Sequence, residues 1–234
     1  MTTDTLSPQR RVLAWDGPTR LFKWAFVALI VMAPLSNKFG DSTLLWHKLN
    51  GYAILTLVLF RLLWGFAGGT TARFSSFIRS PATILGYGLD SVRGVKRRFL
   101  GHNPLGALMV LALLAVAAAQ GLTGLFTTDD IIVEGPLVPL ASSAWVKTAS
   151  VFHHTGFKLV LILSALHILA NFAYTFVKKD NLIRPMVTGW KPEGAYEDAS
   201  EAEAGSWLTA AICLAIAAAI VWGGLALFGT SPFR

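Results

Sequence analysis

Residues 152–167, FHHTGFKLVLILSALH, decide the fold class because they combine a hydrophobic run with ionisable side chains. The stretch holds three of the five histidines in the chain, together with one lysine. Ionisable groups inside a membrane-spanning segment cost free energy, and they usually mark a functional site. We therefore expect a membrane helix here that carries a site along its length.

The whole chain has the composition of an integral membrane protein. Of its 234 residues, 54% are hydrophobic and only 14% are charged. A membrane-spanning helix needs about 20 mainly apolar residues, and the sequence offers such runs at 19–36, 44–67, 104–126, 151–177 and 207–228. We predict an all-α fold, an integral membrane four-helix bundle with a fifth, C-terminal transmembrane helix.

Four segments divide the chain. We expect a cytoplasmic N-terminal segment over 1–18 and the four-helix core over 19–190. Residues 191–205, KPEGAYEDASEAEAG, are polar, acidic and rich in small side chains, which favours a flexible linker. Residues 206–234 then hold the fifth helix and a short tail. The start, MTTDTLSPQRR, lacks the apolar core of a cleavable signal peptide, so we expect none.

The basic residues of the chain are concentrated in the segments on one side of the predicted membrane. The net charge is +7, and basic residues are abundant on one side of the predicted membrane, as the positive-inside rule expects. This pattern predicts a bacterial inner-membrane protein with a cytoplasmic N terminus and a periplasmic C terminus, and it requires no nucleic-acid partner. The basic residues on the predicted cytoplasmic side are Arg10, Arg11, Arg20, Arg73, Arg79, Arg93, Lys96, Arg97, Arg98, Lys178, Lys179, Arg184 and Lys191.

Cys213, inside the fifth predicted span, is the only cysteine of the chain. The sequence therefore excludes a disulfide within the chain, covalent haem attachment through Cys-x-x-Cys-His, and a cysteine cage for zinc or an iron–sulfur cluster. A redox cofactor would have to be held by other side chains.

Helical geometry decides which histidines share a face. At about 100° and 1.5 Å per residue, the step from His153 to His167 returns within ~40° of the same direction and advances ~21 Å. His154 and His167 point nearly apart. Because the second and fourth spans both start on the predicted periplasmic side, His47 lies at the depth of His153. These two side chains can face each other across the bundle.

Two imidazoles that face each other in an apolar bundle suit the axial positions of a haem iron. Gly51 and Gly156, each within one helical turn of a histidine, remove side chains where a flat macrocycle must lie close. Glycine is also common in membrane helices for other reasons. Two other interpretations stay open: histidines satisfied by hydrogen bonds alone, or another metal, although zinc prefers four ligands.

Several motifs occur in a fixed order: WDGPTRLFKW, WHKLNGY, GHNPLGAL, GLFTTDD and YTFVKKDNLIRPMVTGWK. Together with the interval from His153 to His167, they resemble the bacterial di-haem membrane cytochrome b family over about residues 12–191. That family includes cytochrome b subunits of nickel–iron hydrogenases and formate dehydrogenases, and small quinone-linked cytochromes b. The resemblance implies two haems b, the periplasmic one on His47 and His153 and the cytoplasmic one on His167.

The first span departs from the family pattern at Lys23. The family has an arginine, two residues and then His-Trp, whereas this chain has RLFKW at 20–24. Lys23 lies at the depth of His167, and burial favours the neutral amine that metal bonding requires. Lys23 is therefore a candidate second ligand. The alternatives are a haem bound by His167 alone or with another partner, loss of this haem, and a lysine that extends to the lipid headgroups.

Two cationic side chains are candidates for the haem propionates. Arg61 would serve the cytoplasmic haem and Lys158 the periplasmic haem. The alternative for Arg61 is a side chain that extends to the lipid headgroups.

Three further polar residues lie near the predicted membrane surfaces. His102 precedes a predicted helix cap at Asn103, and it is either a proton carrier at a quinone site or a solvated boundary residue. Asp129 and Asp130 are candidates for accepting a quinone proton or docking a basic partner, with a solvated turn as the alternative.

These features predict a membrane b-type cytochrome that relays electrons between the quinone pool and a periplasmic redox partner such as a cytochrome c. Two axial histidines leave no open iron position for a substrate. The alternative function is a superoxide:quinone oxidoreductase, which the small positive charge of the periplasmic loops disfavours. A third hypothesis is a haem-free scaffold or transporter. Membrane lipid and quinone are expected partners, and a homodimer is compatible with the sequence.

Overall fold

Long apolar helices dominate the computed structural model of the chain. The structure describes residues 10–39, 44–131 and 133–230. Within these residues, five helices are able to cross a membrane by length and composition: Gly17–Phe39, Leu45–Ala67, Pro104–Gly124, Ser143–Val177 and Trp207–Phe228. The predicted all-α membrane fold is confirmed. Parts of the expected N-terminal segment and of the C-terminal tail lie outside the described residues.

The secondary structure is mainly helical. In chain order the helices are α1 (Gly17–Phe39), α2 (Leu45–Ala67), α3 (Phe74–Phe77), α4 (Pro81–Val92), α5 (Pro104–Gly124), α6 (Ser143–Phe172), α7 (Ile183–Thr188), α8 (Trp207–Ala218) and α9 (Gly224–Phe228). A π-helix at Ala173–Val177 continues α6, and another at Ala219–Gly223 joins α8 to α9. Short 3-10 turns occur at Thr70–Ala72 and Val138–Leu140. Strands β1 (Arg11–Leu13) and β2 (Trp190–Pro192) pair antiparallel.

Side-chain caps set the start of two membrane helices. The Asn103 side chain accepts a hydrogen bond from a backbone N–H of the first turn (2.8 Å), and Pro104 follows it, so α5 begins where the sequence predicted. Ser142 accepts a hydrogen bond from the Trp145 N–H. Helix α6 therefore begins before residue 151, the predicted start. The apolar pattern marks only the part of the helix that is embedded in lipid, whereas the cap starts the helix earlier.

Helix α2 lies at the centre of the bundle. It packs against α1, α5 and α8, and α5 packs against α6. Trp64 on α2 is fully buried, and its indole N–H donates a hydrogen bond to the Thr19 hydroxyl on α1 (3.0 Å). Small side chains such as Ala210 and Ala217 on α8 belong to the same core. Small residues let membrane helices approach closely, which explains how the fifth span joins the bundle.

The direction of the helices defines two ends of the bundle. Helices α1 and α5 begin, and α2 and α6 end, at one end, called here the amino-terminal end. The other end is called the opposite end. Each end gathers residues from all four core helices, so each can hold its own site.

The segment 191–205 lies against the amino-terminal end. Its first residues belong to β2, which pairs with β1. Glu197 forms a salt bridge of 2.5 Å with Arg97. The Asp198 carboxylate accepts hydrogen bonds from the N–H groups of Leu100 and Gly101 (2.6 and 2.8 Å). The structure thus differs from the expected flexible linker, because the acidic side chains of the segment bind groups of the loop before α5.

Helix α4 occupies the loop between the second and third spans, where the hydrophobic pattern did not predict a helix. Ser80 caps it and Pro81 fills its first turn. Tyr87 on α4 is buried, and its hydroxyl shares a hydrogen bond of 2.7 Å with the hydroxyl of Tyr174. Helix α4 is thereby fixed to the amino-terminal end of the bundle.

Candidate cofactor site

A cavity of about 450 Å³ lies between α1, α2, α5 and α6 near the opposite end of the bundle. Cofactor pockets typically measure about 300–1,000 Å³. The lining is apolar at its deep end and polar at its outer end. The lining residues are Ile30, Ala33, Pro34, Asn37, Lys38, His47, Asn50, Gly51, Ile54, Ala117, Gln120, Gly121, His153, His154, Phe157 and Val160.

His47 on α2 and His153 on α6 face each other across this cavity. Their ring centroids are 6.1 Å apart, and their planes are nearly perpendicular at 81°. Two imidazoles that bind one metal ion through bonds of roughly 2 Å each have a similar centroid separation once the ring radii are added. The structure therefore brings together the two histidines that the sequence paired, at a spacing that suits a shared metal ion.

Hydrogen bonds to carbonyl groups fix the orientation of both rings. His47 Nδ1 lies 2.9 Å from the carbonyl oxygen of Ala33 on α1, and His153 Nδ1 lies 2.9 Å from that of Gln120 on α5. Because a carbonyl only accepts, each Nδ1 must carry the proton and donate. The lone pair of each ring is then on Nε2, the usual arrangement of a metal-binding histidine with a carbonyl behind it.

Glycines leave space around this pair in different ways. Gly51 lines the cavity, and a Cβ added there would meet no heavy atom within 4 Å. A Cβ at Gly156 would lie 2.8 Å from the Gln120 side-chain oxygen, so Gly156 serves the contact between α5 and α6. A Cβ at Gly124 would lie 2.8 Å from His153 Cε1. The sequence predicts a role for Gly51 and Gly156 beside the histidines, whereas the role of Gly124 is visible only in the structure.

The outer, polar end of the cavity differs from the prediction. Lys38, in the last turn of α1, lines the cavity together with Asn37 and Asn50. Lys158 is exposed and is not among the lining residues, so the structure does not bring it to the cavity, and its contact with a propionate stays a prediction. Its helical phase turns it outward, one residue past the cavity-facing Phe157. The sequence does not predict Lys38 as a site residue, because lysine is common in the last turn of a membrane helix.

Lys23 and His167 occupy the interior at the amino-terminal end. The stem of Lys23 is partly exposed, but its ammonium nitrogen is buried 3.3 Å from the Trp15 ring centroid. This nitrogen has no hydrogen-bond partner among the described residues. Lys23 lies near the start of α1 and His167 near the end of α6, so both belong to this end of the bundle. The amide of Asn171, one turn further along α6, lies 3.2 Å from His167 Nε2.

Arg61 and His102 belong to the same region. Arg61 is only 2% exposed and donates one hydrogen bond, of 3.0 Å, to the Ala72 carbonyl, so it does not extend to the headgroups. In the described part of the chain, His102 Nδ1 is buried and has no hydrogen-bond partner, which differs from the solvated boundary residue considered from the sequence. Burial, followed by the charges of Lys23 and Arg61, holds the pKa of His102 well below its usual range.

Asp129 and Asp130 lie in the turn after α5. The Asp129 carboxylate accepts hydrogen bonds from the N–H groups of Ile131 and Val133 (3.0 and 2.8 Å), which shape the turn. Asp130 is exposed and has a positive φ of 60°. Neither residue lines the cavity.

The donor set fits a haem better than a bare metal ion. Within the described part of the chain, no group of three or more His, Cys, Asp or Glu side chains is arranged to hold a metal ion. His47 on α2 and His153 on α6 supply two nitrogen ligands that face each other across the cavity. A macrocycle that provides the equatorial ligands completes such a site.

Comparison with known proteins gives consistent matches. A family model described as prokaryotic cytochrome b561 matches residues 14–189. Two similar proteins are a probable Ni/Fe-hydrogenase B-type cytochrome subunit from Azotobacter chroococcum mcd 1, 24% identical over 216 residues, and one from Azotobacter vinelandii, 24% identical over 220 residues. Each alignment covers 78% of this chain and 89% of the relative. The family match contains all four helices around the cavity, and the fifth span follows it.

Proposed function

The chain belongs to the prokaryotic cytochrome b561 family of membrane electron-transfer proteins with b-type haem, and from this premise we propose that His47 and His153 hold one haem b in the cavity at the opposite end. The observation that carries the proposal is the facing pair itself, with centroids 6.1 Å apart and both Nδ1 atoms bonded to carbonyl groups. Those carbonyl groups fix the orientation of each ring and, in the neutral imidazole, place the lone pair on Nε2. Both imidazoles are therefore prepared for a metal before one binds.

His167 and Lys23 are the proposed ligands of a second haem, at the amino-terminal end. A lysine amine ligates iron only in its neutral form, and the nitrogen of Lys23 is buried against Trp15 with no carboxylate bonded to it. Burial without an acidic partner supports that neutral form. The Asn171 amide nitrogen lies 3.2 Å from His167 Nε2 and donates to it, so iron binding through Nε2 would have to displace this contact.

The proposed role is an electron relay across the membrane. A haem b held by His47 and His153 would supply a one-electron couple, and ligation by two side chains would suit it to electron transfer and not to substrate binding. The chain supplies the rest: four helices fix both ligand pairs at different depths, and their apolar surfaces exclude water from the path between them.

We further propose that the amino-terminal end is cytoplasmic and faces the quinone pool, while the opposite end passes electrons to a periplasmic redox protein. Basic residues concentrate at the amino-terminal end, which supports that orientation in a bacterial inner membrane. Quinone chemistry moves protons together with electrons, but His102, the proton carrier considered from the sequence, is buried in contact with the Trp15 and Phe77 rings and is not proposed for that role. Asn103 caps α5 beside it and fixes the backbone there.

A reduced-minus-oxidised absorption spectrum of the purified protein, with the haem-to-protein ratio, tests this function. The proposal expects low-spin b-type bands, two haems per chain and reduction by an added quinol. A ratio of one haem per chain would contradict the proposed second site and would agree with the first. Absence of b-type bands would overturn the proposed cofactor sites.

A further inference from the structure

Three basic side chains at the amino-terminal end, Lys23, Arg61 and His102, contact two aromatic rings. The Trp15 ring contacts the Lys23 ammonium nitrogen, 3.3 Å from its centroid, and the His102 ring, 4.7 Å between centroids. The second ring, Phe77, contacts His102 and Arg61. Its centroid lies 4.8 Å from that of His102 and 5.8 Å from the Arg61 guanidinium carbon. We call these five residues the basic chamber.

The basic chamber holds hydrogen-bond donors that the protein does not satisfy. Among the residues that the structure describes, three buried nitrogen atoms of the chamber have no hydrogen-bond partner: Arg61 Nη1, His102 Nδ1 and Lys23 Nζ. Buried polar atoms almost always find a partner, and a buried charge without one is strongly unfavourable. The three atoms belong to side chains that contact Trp15 or Phe77, and His102 contacts both rings. Their shared lack of a partner indicates that a group from outside the chain completes the chamber.

The nearby carboxylate of Asp16 is already engaged. One oxygen accepts a hydrogen bond from the Thr19 N–H (2.8 Å), and the other accepts from the N–H groups of Gly69 and Gly205 (both 3.2 Å). These bonds fix the start of α1 to two loops. Asp16 thus has a structural role, and its charge reaches Arg61 without a hydrogen bond to it.

Lys191 adds to the positive charge around the chamber. It is only 4% exposed and donates a hydrogen bond of 2.7 Å to the Phe99 carbonyl. Its charge acts on both Lys23 and His102. A cation that is satisfied by a neutral carbonyl raises the local potential without neutralising it, so the chamber favours a negatively charged occupant.

We infer that the basic chamber is an anion site that takes a carboxylate group, with Arg61 Nη1 and His102 Nδ1 as its donors. The guanidinium edge matches the geometry of a carboxylate, and bonds between charged partners are the stronger kind. Lys23 is not one of these donors, because its amine is the proposed ligand of the second haem. The carboxylate comes either from the propionate of the proposed second haem, in which case this inference rests on the proposed function, or from a free organic acid.

The experiment compares Arg61→Gln, Arg61→Lys and His102→Gln with the control Arg79→Gln in the full-length holoprotein. Arg79 bonds only to the nearby carbonyl groups of Ile78 and Ser76, so its loss changes the net charge without touching the chamber. Haem content, a redox titration of each haem, and the melting temperature with added malonate are measured. His102→Gln carries the test if Arg61→Gln does not fold.

A propionate in the chamber predicts two haems in the wild type and no effect of malonate. Arg61→Gln and His102→Gln should then shift one haem toward its oxidised form, by about tenfold for Arg61→Gln, or about 59 mV for one electron, and Arg61→Lys should restore most of the shift. A free carboxylate predicts one haem per chain and a saturable rise in melting temperature with malonate, present in Arg79→Gln and lost in Arg61→Gln.

The inference is overturned if the chamber variants match Arg79→Gln in both redox titration and malonate response. That result leaves the haem spectrum of the wild type intact, so it does not affect the proposed function. Conversely, a wild type without b-type bands overturns the proposed cofactor, and the malonate response still tests the chamber.

Discussion

The ammonium nitrogen of Lys23 lies 3.3 Å from the centroid of the Trp15 ring, buried and without a hydrogen-bond partner among the residues that the structure describes. Lysine at a membrane surface normally extends to the headgroups, so this position is costly unless the amine serves a site. We propose that the site is the second haem, opposite His167.

Lys23→Ala should convert that haem from low-spin to high-spin and open it to carbon monoxide, because His167 would be left as a single axial ligand. Lys23→His should restore a six-coordinate low-spin spectrum. Absorption spectra with and without carbon monoxide, together with the haem-to-protein ratio, measure both outcomes. A two-haem low-spin spectrum that is unchanged in Lys23→Ala would exclude Lys23 as a ligand.

Two lysines near the first haem site form a matched pair for a test of charge. Lys38 lines the cavity, whereas Lys158 is exposed outside it. Lys38→Gln should lower the reduction potential of the haem on His47 and His153, since a nearby cation favours the reduced form, by an energy on the order of 1 kcal/mol or less. Lys158→Gln should have a smaller effect in the same redox titration. Equal shifts for the two variants would show that Lys38 has no special place at the site.

Gly124 controls the position of His153. A Cβ there would lie 2.8 Å from His153 Cε1, whereas a Cβ on Gly86 of α4 would meet nothing within 4 Å. Gly124→Ala should therefore displace the imidazole, with a strain of about 1–3 kcal/mol, and lower the haem content or weaken the low-spin bands. Gly86→Ala is the control and should retain the wild-type spectrum. A normal spectrum for Gly124→Ala would show that the ring can shift without leaving the iron.

The salt bridge between Arg97 and Glu197 makes stability depend on pH. The hydrogen bond from Arg97 lowers the pKa of Glu197 below its usual value. A lowered folded-state pKa contributes stability that is present above the unfolded-state pKa and is lost as the pH falls through the lowered value. Because the pair is partly exposed, the contribution should be about 1 kcal/mol or less.

Thermal unfolding in detergent, followed from pH 7 to about pH 3, measures this contribution. Glu197→Gln should be slightly less stable than the wild type at neutral pH and should show a weaker loss of stability on acidification. An identical pH response in the two proteins would show that the ion pair does not anchor the segment 191–205.

The sequence was sufficient for the features that depend on helical periodicity and hydrophobicity. The membrane spans follow from apolar runs, and the facing of His47 and His153 follows from their depth and from the phase of α6. Asn103 could be recognised as a cap because the residue type and the following proline are both specific signals.

Other features depend on tertiary contacts that no local pattern encodes. Its distance along α6 from His153 predicts Lys158 at the site, but the side chain lies on an exposed face of that helix. Lys38 enters the cavity because α1 packs beside α2, and His102 is buried because Trp15 and Phe77 enclose it. The segment 191–205 has the composition of a linker, yet Glu197 binds a partner that lies a hundred residues earlier in the chain.

The most direct test of the account is the low-spin haem spectrum, with the haem-to-protein ratio, of His47→Ala, His153→Ala and His154→Ala. His154 is the matched control, since it is adjacent to His153 in the chain, lines the same cavity and makes no part of the facing pair. The account predicts that His47→Ala and His153→Ala each lose the first haem or convert it to high-spin, while His154→Ala keeps the wild-type spectrum. Loss of that haem in His154→Ala together with its retention in His153→Ala would contradict the account.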